Sequence, residues 1–155
     1  MTKPHHVHGT GLVLDGLGLL LRGPSGAGKS LLTLSLIETW QMRGLEALLI
    51  SDDRVDLTVD ADGVVMNAPP LLTGLIELRG RGIVHRPSCP SARLNLVIDL
   101  VPAYERMLEE EAFTTHILGH DVPRAPVPHA ERIGLRHQEL LVMEAVRASA
   151  SPAQP

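Results

Sequence analysis

Gly23-Pro24-Ser25-Gly26-Ala27-Gly28-Lys29-Ser30 fits the pattern G-x-x-x-x-G-K-[ST], and it constrains the fold more than any other stretch. Such a loop works only between a buried strand and a helix N-terminus, and both flanks are present. Leu17 to Leu21 predict the strand, and Ser30 to Arg43 place Leu31, Leu34, Ile37 and Met42 at helical spacing. Glycines let successive N–H groups curl around one anion, and a helix N-terminus adds about half a positive charge, so phosphate is the expected guest. Lys29 would reach the β and γ phosphates, and the Ser30 hydroxyl would join the shell of a Mg²⁺ ion bridging the same oxygens. A glycine-rich turn with a chance lysine would share the string but not its strand and helix.

The chain has 155 residues, the size of one domain. It is 44% hydrophobic but only 2% aromatic, so its core must be built from Leu, Val, Ile and Ala, which suits an α/β domain. The same scarcity of rings removes the stacking platforms that single-stranded nucleic acid requires. A formal charge of -4 disfavours a binder of the phosphate backbone, so no nucleic-acid partner is expected. Cys89 is the only cysteine, which excludes an intramolecular disulfide and fits a reducing compartment. The first residues lack the apolar core of a secretory signal, and Leu17 to Leu21 is too short to span a bilayer. A cytoplasmic protein without membrane contact is the expectation.

Gly11 to Asp15 and Leu17 to Leu21 flank Gly16, which predicts a hairpin feeding the phosphate loop, with His8 just ahead of it. After the helix, Arg43-Gly44 supplies a stop, and Ala47 to Ile50 predict a buried strand ending in Ser51-Asp52-Asp53. Two carboxylates thus emerge at a strand's carboxyl end, the edge where α/β sheets bind ligands. A hairpin is predicted from Arg54 to Val59 and Val64 to Met66. The pair Pro69-Pro70 follows, then Leu71 to Leu78, whose periodicity fits helix or strand equally, and the polar segment Glu77 to Gly82. His85 to Ser91 predict a loop, Leu94 to Val101 a strand, Ala103 to Glu111 a short helix and Thr114 to Leu118 a strand. The proline-dense stretch from Pro123 to Pro128 is expected to be irregular or a sheet edge, and Gln138 to Ala148 a terminal helix.

His8-Gly9, the loop from Gly23 to Ser30, Asp52-Asp53-Arg54-Val55, Ala68-Pro69-Pro70 and the run Leu75-Ile76-Glu77-Leu78-Arg79-Gly80-Arg81-Gly82-Ile83 occur in this order. This set resembles the catalytic domain of the HPr kinase/phosphorylase family, bacterial enzymes that phosphorylate and dephosphorylate a serine of the phosphocarrier HPr. The resemblance implies a single-domain α/β fold with a mixed sheet, flanking helices and a phosphate-loop core akin to phosphoenolpyruvate carboxykinase. Residues 1–148 would be the catalytic domain, in a short form without the N-terminal domain usual in the family, and residues 149–155 a disordered tail. It further implies ATP and Mg²⁺ as cofactors, HPr or an HPr-like carrier and inorganic phosphate as partners, and a homo-oligomer. Two departures stand out: Leu31 where an acidic residue commonly follows the Lys-Ser pair, and Pro128-His129-Ala130-Glu131-Arg132 in place of a proline, basic residue and glycine segment.

Roles follow from charge and position under that resemblance. Asp52 is the candidate base for a serine hydroxyl. Ser30, Asp53 and Glu77 are the candidate Mg²⁺ ligands, a set of hard oxygen donors. His8 should lie near Asp52 and tune its protonation, and Arg79 should stabilise charge on the transferring phosphoryl group. Arg106 matches a family arginine more weakly. Plainer readings stand beside these. Paired aspartates often form turns, Glu77 and Arg79 would make an ordinary surface ion pair, and Glu109-Glu110-Glu111 reads as a solvated face. His5, His6 and His8 suggest a metal site, but a flexible end with one working histidine is the preferred reading. Cys89 has no setting that would activate it. A small-molecule kinase and a non-catalytic nucleotide sensor are the rival functions.

Overall fold

Residues 3–150 are described by the computed structural model, and strands are their commonest regular structure. β1 (His5–Val7), β2 (Gly9–Leu14) and β3 (Leu17–Arg22) lead into α1 (Lys29–Met42). β4 (Ala47–Ser51), the hairpin β5 (Val55–Asp60) and β6 (Gly63–Asn67), the hairpin β7 (Leu75–Leu78) and β8 (Gly82–His85), β9 (Ser91–Arg93) and β10 (Leu96–Val101) follow. β11 (Thr114–Ile117), β12 (His120–Pro128), the short α2 (Ala130–Ile133) and α3 (Leu135–Ala150) complete the order.

A six-stranded sheet in the order β11-β12-β10-β3-β2-β4 carries the architecture, with a four-stranded sheet β1-β5-β6-β9 and the separate pair β7-β8. β10 is parallel to β3 and to β12, whereas β2 is antiparallel to β3 and to β4. β3, β4, β10 and β12 therefore run in one direction, and their carboxyl ends share an edge. The phosphate loop, Asp52-Asp53 and α2 all leave the sheet there, which is where open α/β sheets place their ligands.

Alternation sorts the large sheet's side chains into two cores. Leu12, Leu19, Leu21 and Ile98 pack on one face with Leu32, Leu36 and Ile37 of α1 and Val142 and Met143 of α3. Val13, Leu20, Ile50 and Val97 pack on the other with Val55, Leu57, Val64 and Met66 of the smaller sheet. Helices, mixed sheet and second sheet thus form three layers, and the central strand is apolar without a break because both of its faces are covered. Leu19, Leu20 and Leu21 have no exposed surface, and at about 1.5 to 3 kcal/mol each their burial anchors the strand that delivers the loop. Gly18 opens that strand where nothing larger fits. A Cβ there would lie 1.9 Å from the Arg93 carbonyl oxygen, and its N–H donates to Asn95 Oδ1 at 2.8 Å.

Four expectations need correction. In α1, Leu34 and Ile37 are buried as expected, but Leu31 and Met42 are exposed and Leu32, Leu36 and Trp40 take the core face. Apolar residues surround that helix, so spacing alone does not select its buried side. His5 to Val7 form β1, paired with β5 as His5↔Leu57 and Val7↔Val55, instead of a flexible end. His6 is fixed there, with Nδ1 2.5 Å from Asp56 Oδ1.

Ala103 to Glu111 make no helix. The chain is irregular up to a 3₁₀ turn at Glu110–Phe113, and Tyr104 and Met107 face solvent, so no apolar stripe holds a helix against the core. Pro123 to Pro128 take the edge alternative of the two expected, as the second half of β12, paired along β10 from Val97↔Arg124 to Val101↔Pro128. β11 pairs only as far as Pro123, and the His129 N–H donates to the Val101 carbonyl, so strand alternation turns Pro126 and Pro128 towards the open side, where no ladder bond is lost. His85 to Ser91 is only partly a loop, because β8 reaches His85 and β9 begins at Ser91. The ambiguous run resolves into a 3₁₀ turn at Pro70–Leu72 followed by β7. α3 continues to Ala150, and residues 151–155 of the expected tail lie outside the described residues. No helix among the described residues is long and apolar enough to cross a membrane.

One ion cluster ties the parallel strands together beside the loop. Arg22 Nε donates to Asp99 Oδ1 at 2.7 Å, and Arg124 Nε reaches Asp99 Oδ2 at 2.5 Å, so β3, β10 and β12 are cross-linked through one carboxylate. Burial would raise the Asp99 carboxyl, but the Arg22 and Arg124 guanidinium groups outweigh it and hold the carboxyl below its usual range. A depressed carboxylate contributes full stability above the unfolded value of about 3.9 and loses it as pH falls through the lower folded value. Asp99→Asn should therefore cost about 1.5 to 3 kcal/mol near neutral pH and flatten the acid limb below about pH 4, as measured by urea denaturation across pH.

Candidate active site

Phosphate loop and helix meet at Gly28, which caps α1 with φ of 101°, a left-handed conformation that favours glycine. That turn leaves the first N–H groups of α1 without helical acceptors, pointing out of the loop's mouth. Lys29, 6% exposed, folds back across the loop, its Nζ donating to the carbonyls of Gly23 at 2.7 Å and Pro24 at 3.1 Å. Burial pushes its amine below the ordinary lysine value, while the carboxylates of Asp53 and Asp52 pull it back up. A cation with this much dehydration is poised to donate to phosphate oxygens.

Ser30, one residue on, turns towards β4. Its hydroxyl lies 2.9 Å from both carboxylate oxygens of Asp52. Thr10 Oγ1 donates to Asp52 Oδ1 at 2.8 Å, and the Glu77 N–H approaches Oδ2 at 3.4 Å. Asp52 is thus surrounded by donors and joins β2, α1 and β7. A serine hydroxyl that gives its proton to a carboxylate turns its lone pairs outward, the orientation a metal ligand needs.

Asp53 takes the opposite course. Its φ is 68°, a left-handed conformation costing roughly 1 to 2 kcal/mol in a non-glycine residue, and its side chain is 71% exposed. His8 Nδ1 stands 3.3 Å from Asp53 Oδ1, and His8 Nε2 stands 3.4 Å from Ser25 Oγ. The histidine expected beside Asp52 is therefore beside Asp53, bridging it to the phosphate loop. Register explains the placement. Gly11 pairs with Ser51 but Leu12 with Leu49, so Ile50 is the extra residue of a bulge that re-aims the end of β4.

Glu77 sits on β7 and Arg79 in the turn after it, Glu77 Oε1 4.0 Å from Arg79 Nε with both side chains largely exposed. Such a contact is worth about 0 to 1 kcal/mol, so both groups are free to meet a ligand at the rim. No group of three or more His, Cys, Asp or Glu among the described residues is disposed to hold a metal, which covers His5, His6 and His8 as well as the acidic set. Mg²⁺ does not need one, because it keeps several waters and takes the rest of its shell from one or two carboxylates and phosphate oxygens. Ser30 and Asp52 are hard oxygen donors beside an anion-binding loop, and they fit that ion.

Thr10 carries a role that the residue-by-residue reading passed over. The available signal was one polar residue inside the apolar run of β2, two positions after His8. α2 was also missed, and its Ala130 Cβ lies 4.0 Å from where a Gly28 Cβ would be, so the diverged segment closes over the loop. Arg106 is not part of this site. It lines a cavity of about 800 Å³ with Tyr104, Met107, Phe113, Arg124 and Leu141, between β12 and α3.

Comparison with known proteins agrees with this geometry. A family model described as the HPr serine kinase C-terminal domain matches residues 1–148. An HPr kinase/phosphorylase of Geobacillus thermodenitrificans (strain NG80-2) is 36% identical over 136 residues, covering 79% of this chain and 41% of its own length. One from Lactobacillus acidophilus is 35% identical over 141 residues, covering 83% of this chain and 42% of its own. The solved structure of the Hpr(Ser) kinase/phosphatase from Coxiella burnetii superposes with a TM-score of 0.72 at 29% identity, over 93% of this chain and 92% of that one. This chain therefore spans about two fifths of the length of the curated relatives it matches.

Lys29→Met tests the loop directly. Binding of a fluorescent adenine nucleotide should weaken roughly 10- to 100-fold, the loss of a charge-assisted contact in a dry site. Because burial lowers the amine's pKa, wild-type affinity should begin to fall at a pH below the ordinary lysine value of about 10.4, and the variant's weak binding should lack that alkaline limb.

Proposed function

The chain belongs to the HPr serine kinase C-terminal domain family, and we propose that it moves a phosphoryl group between ATP and a serine of a protein substrate, HPr or an HPr-like phosphocarrier. The observation that carries this reading is the pair of aspartates, one bound to the phosphate loop's serine and the other turned out to solvent against a histidine. A nucleotide sensor needs the first and has no use for the second.

In transfer to serine, the backbone N–H groups of the loop and Lys29 would hold the β and γ phosphates. Mg²⁺, when bound, would be held by Ser30 and Asp52, with Glu77 as the further oxygen donor at the rim, and would supply charge neutralisation at the phosphates. Asp53 would accept the proton of the attacking hydroxyl. Asp52, the base expected from the sequence, has both oxygens engaged by the hydroxyls of Thr10 and Ser30, whereas Asp53 is accessible to an incoming side chain. Roles expected of the two aspartates are therefore exchanged in this proposal. Arg79, exposed at the rim, would approach the transferring phosphoryl group.

Phosphorolysis runs the same chemistry backwards. Inorganic phosphate attacks phosphoserine, the P–O bond to serine breaks, pyrophosphate forms, and Asp53 returns a proton to the serine oxygen. A protonated His8 at 3.3 Å would support only that return. Several copies are proposed to assemble, and a cytoplasmic carrier would be met in the cytoplasm.

Transfer of label from γ-labelled ATP to purified HPr-like protein, retained in acid, is the test. Asp53→Asn should lower that transfer about 10²- to 10⁴-fold while Mg²⁺-dependent nucleotide binding persists, and Asp52→Asn should lose the Mg²⁺ dependence of binding itself. Near wild-type transfer by Asp53→Asn would overturn its role as base. Nucleotide binding without any transfer in the wild type would favour the sensor.

A further inference from the structure

We propose that Thr10 is the positioning residue of the site: its buried hydroxyl sets Asp52 as a metal-facing carboxylate and holds the turn that directs Asp53 away from it. The inference rests on the metal-facing reading of Asp52 above.

Thr10 has no exposed surface and lies in β2 opposite Leu21 of β3, so its backbone is clamped in the middle of the large sheet. A threonine hydroxyl has one proton and two lone pairs. Here the proton goes to Asp52 Oδ1 at 2.8 Å, while the oxygen faces the Asp53 N–H at 3.5 Å. One atom thus addresses a side chain of one aspartate and the backbone of the next. Its neighbours complete the grip. Gly9 N–H donates to the Asp53 carbonyl at 3.3 Å, and His8 approaches the Asp53 carboxylate. Two residues of β2 and the His8 just before it therefore hold the pair, and the left-handed Asp53 persists because both of its backbone polar groups are met from β2.

The second donor to Asp52 is Ser30, which shares Oδ1 with Thr10. With both hydroxyls in place, the carboxylate has a fixed rotation and Ser30 keeps its lone pairs towards the loop's mouth. Without Thr10, Oδ1 keeps only the donor that must also serve the metal. Outer-shell groups of this kind set metal affinity without touching the ion.

The experiment uses the full chain and a ribose-labelled fluorescent ADP, titrated with Mg²⁺ at fixed nucleotide. Thr10→Val keeps the shape and removes the hydroxyl, and it should raise the Mg²⁺ half-saturation at least about tenfold. Thr10→Ser restores the hydroxyl and should return the half-saturation close to wild type, with the melting temperature following the lost methyl instead. A purely structural role would show the reverse ranking, with Val folding well and binding normally. Wild-type Mg²⁺ dependence in Thr10→Val, when Asp52→Asn has lost it, overturns the role of Thr10 and leaves the metal reading standing. Wild-type dependence in Asp52→Asn overturns both. Should Thr10→Val fail to fold, Thr10→Ser decides: a normal half-saturation supports the proposal and a raised one overturns it.

Discussion

The Asp52 carboxylate is the joint on which the site depends, because three elements that share no continuous backbone meet in it. β4 supplies it, the first turn of α1 reaches it through Ser30, and β2 reaches it through Thr10. Each contact is a hydrogen bond to a charged group in a partly buried setting, worth about 1.5 to 3 kcal/mol when broken singly. The larger consequence is geometric. α1 can rotate about its axis only by losing Ser30 from Asp52, so the phosphate loop's orientation is read from the sheet and not from the loop's own sequence.

That joint would have no fixed frame without burial on both faces of the large sheet. α1 and α3 cover one face, and the smaller sheet covers the other, so strands β3 and β2 have no freedom to slip by a residue without turning one core inside out. α1 is pinned at its far end as well. Thr39 donates to the buried Glu139 of α3 at 2.9 Å, and Gln138 of the same helix donates to the Pro128 carbonyl at 2.9 Å. α3 therefore links the end of β12, beside the loop, to the outer half of α1.

Features carried by local chemistry were legible in the sequence. The loop, its strand and helix, the hairpin before it and the aspartate pair at a strand end all follow from residues adjacent in the chain. What was not legible depends on contacts between distant segments. Pro126 and Pro128 look like strand breakers until β11 is seen to end at Pro123. His5 to Val7 look like a loose end until β5 arrives to pair with them. Ala103 to Glu111 have acceptable helix propensity, and only the lack of a core to cover leaves them irregular. The different partners of Asp52 and Asp53, on which their proposed roles rest, are of the same kind, since Thr10, Ser30 and His8 that tell them apart are not near them in sequence.

Adjacent carboxylates ordinarily compete. Two that share one site push each other's protonation upward and titrate as a pair, an arrangement suited to holding a single proton between them. Here the left-handed turn at Asp53 sends consecutive side chains to different partners, Asp52 to the hydroxyls of Thr10 and Ser30 and Asp53 to an exposed imidazole. Lys29 feels both, and both raise its amine's pKa against burial. Charge is thereby balanced across the loop while the two carboxylates remain chemically separate. A metal-facing carboxylate must stay ionised throughout the reaction, whereas a base must gain and lose a proton. Under the proposed division of those duties, the backbone conformation of Asp53, held from β2, is what keeps its side chain clear of the donors that hold Asp52.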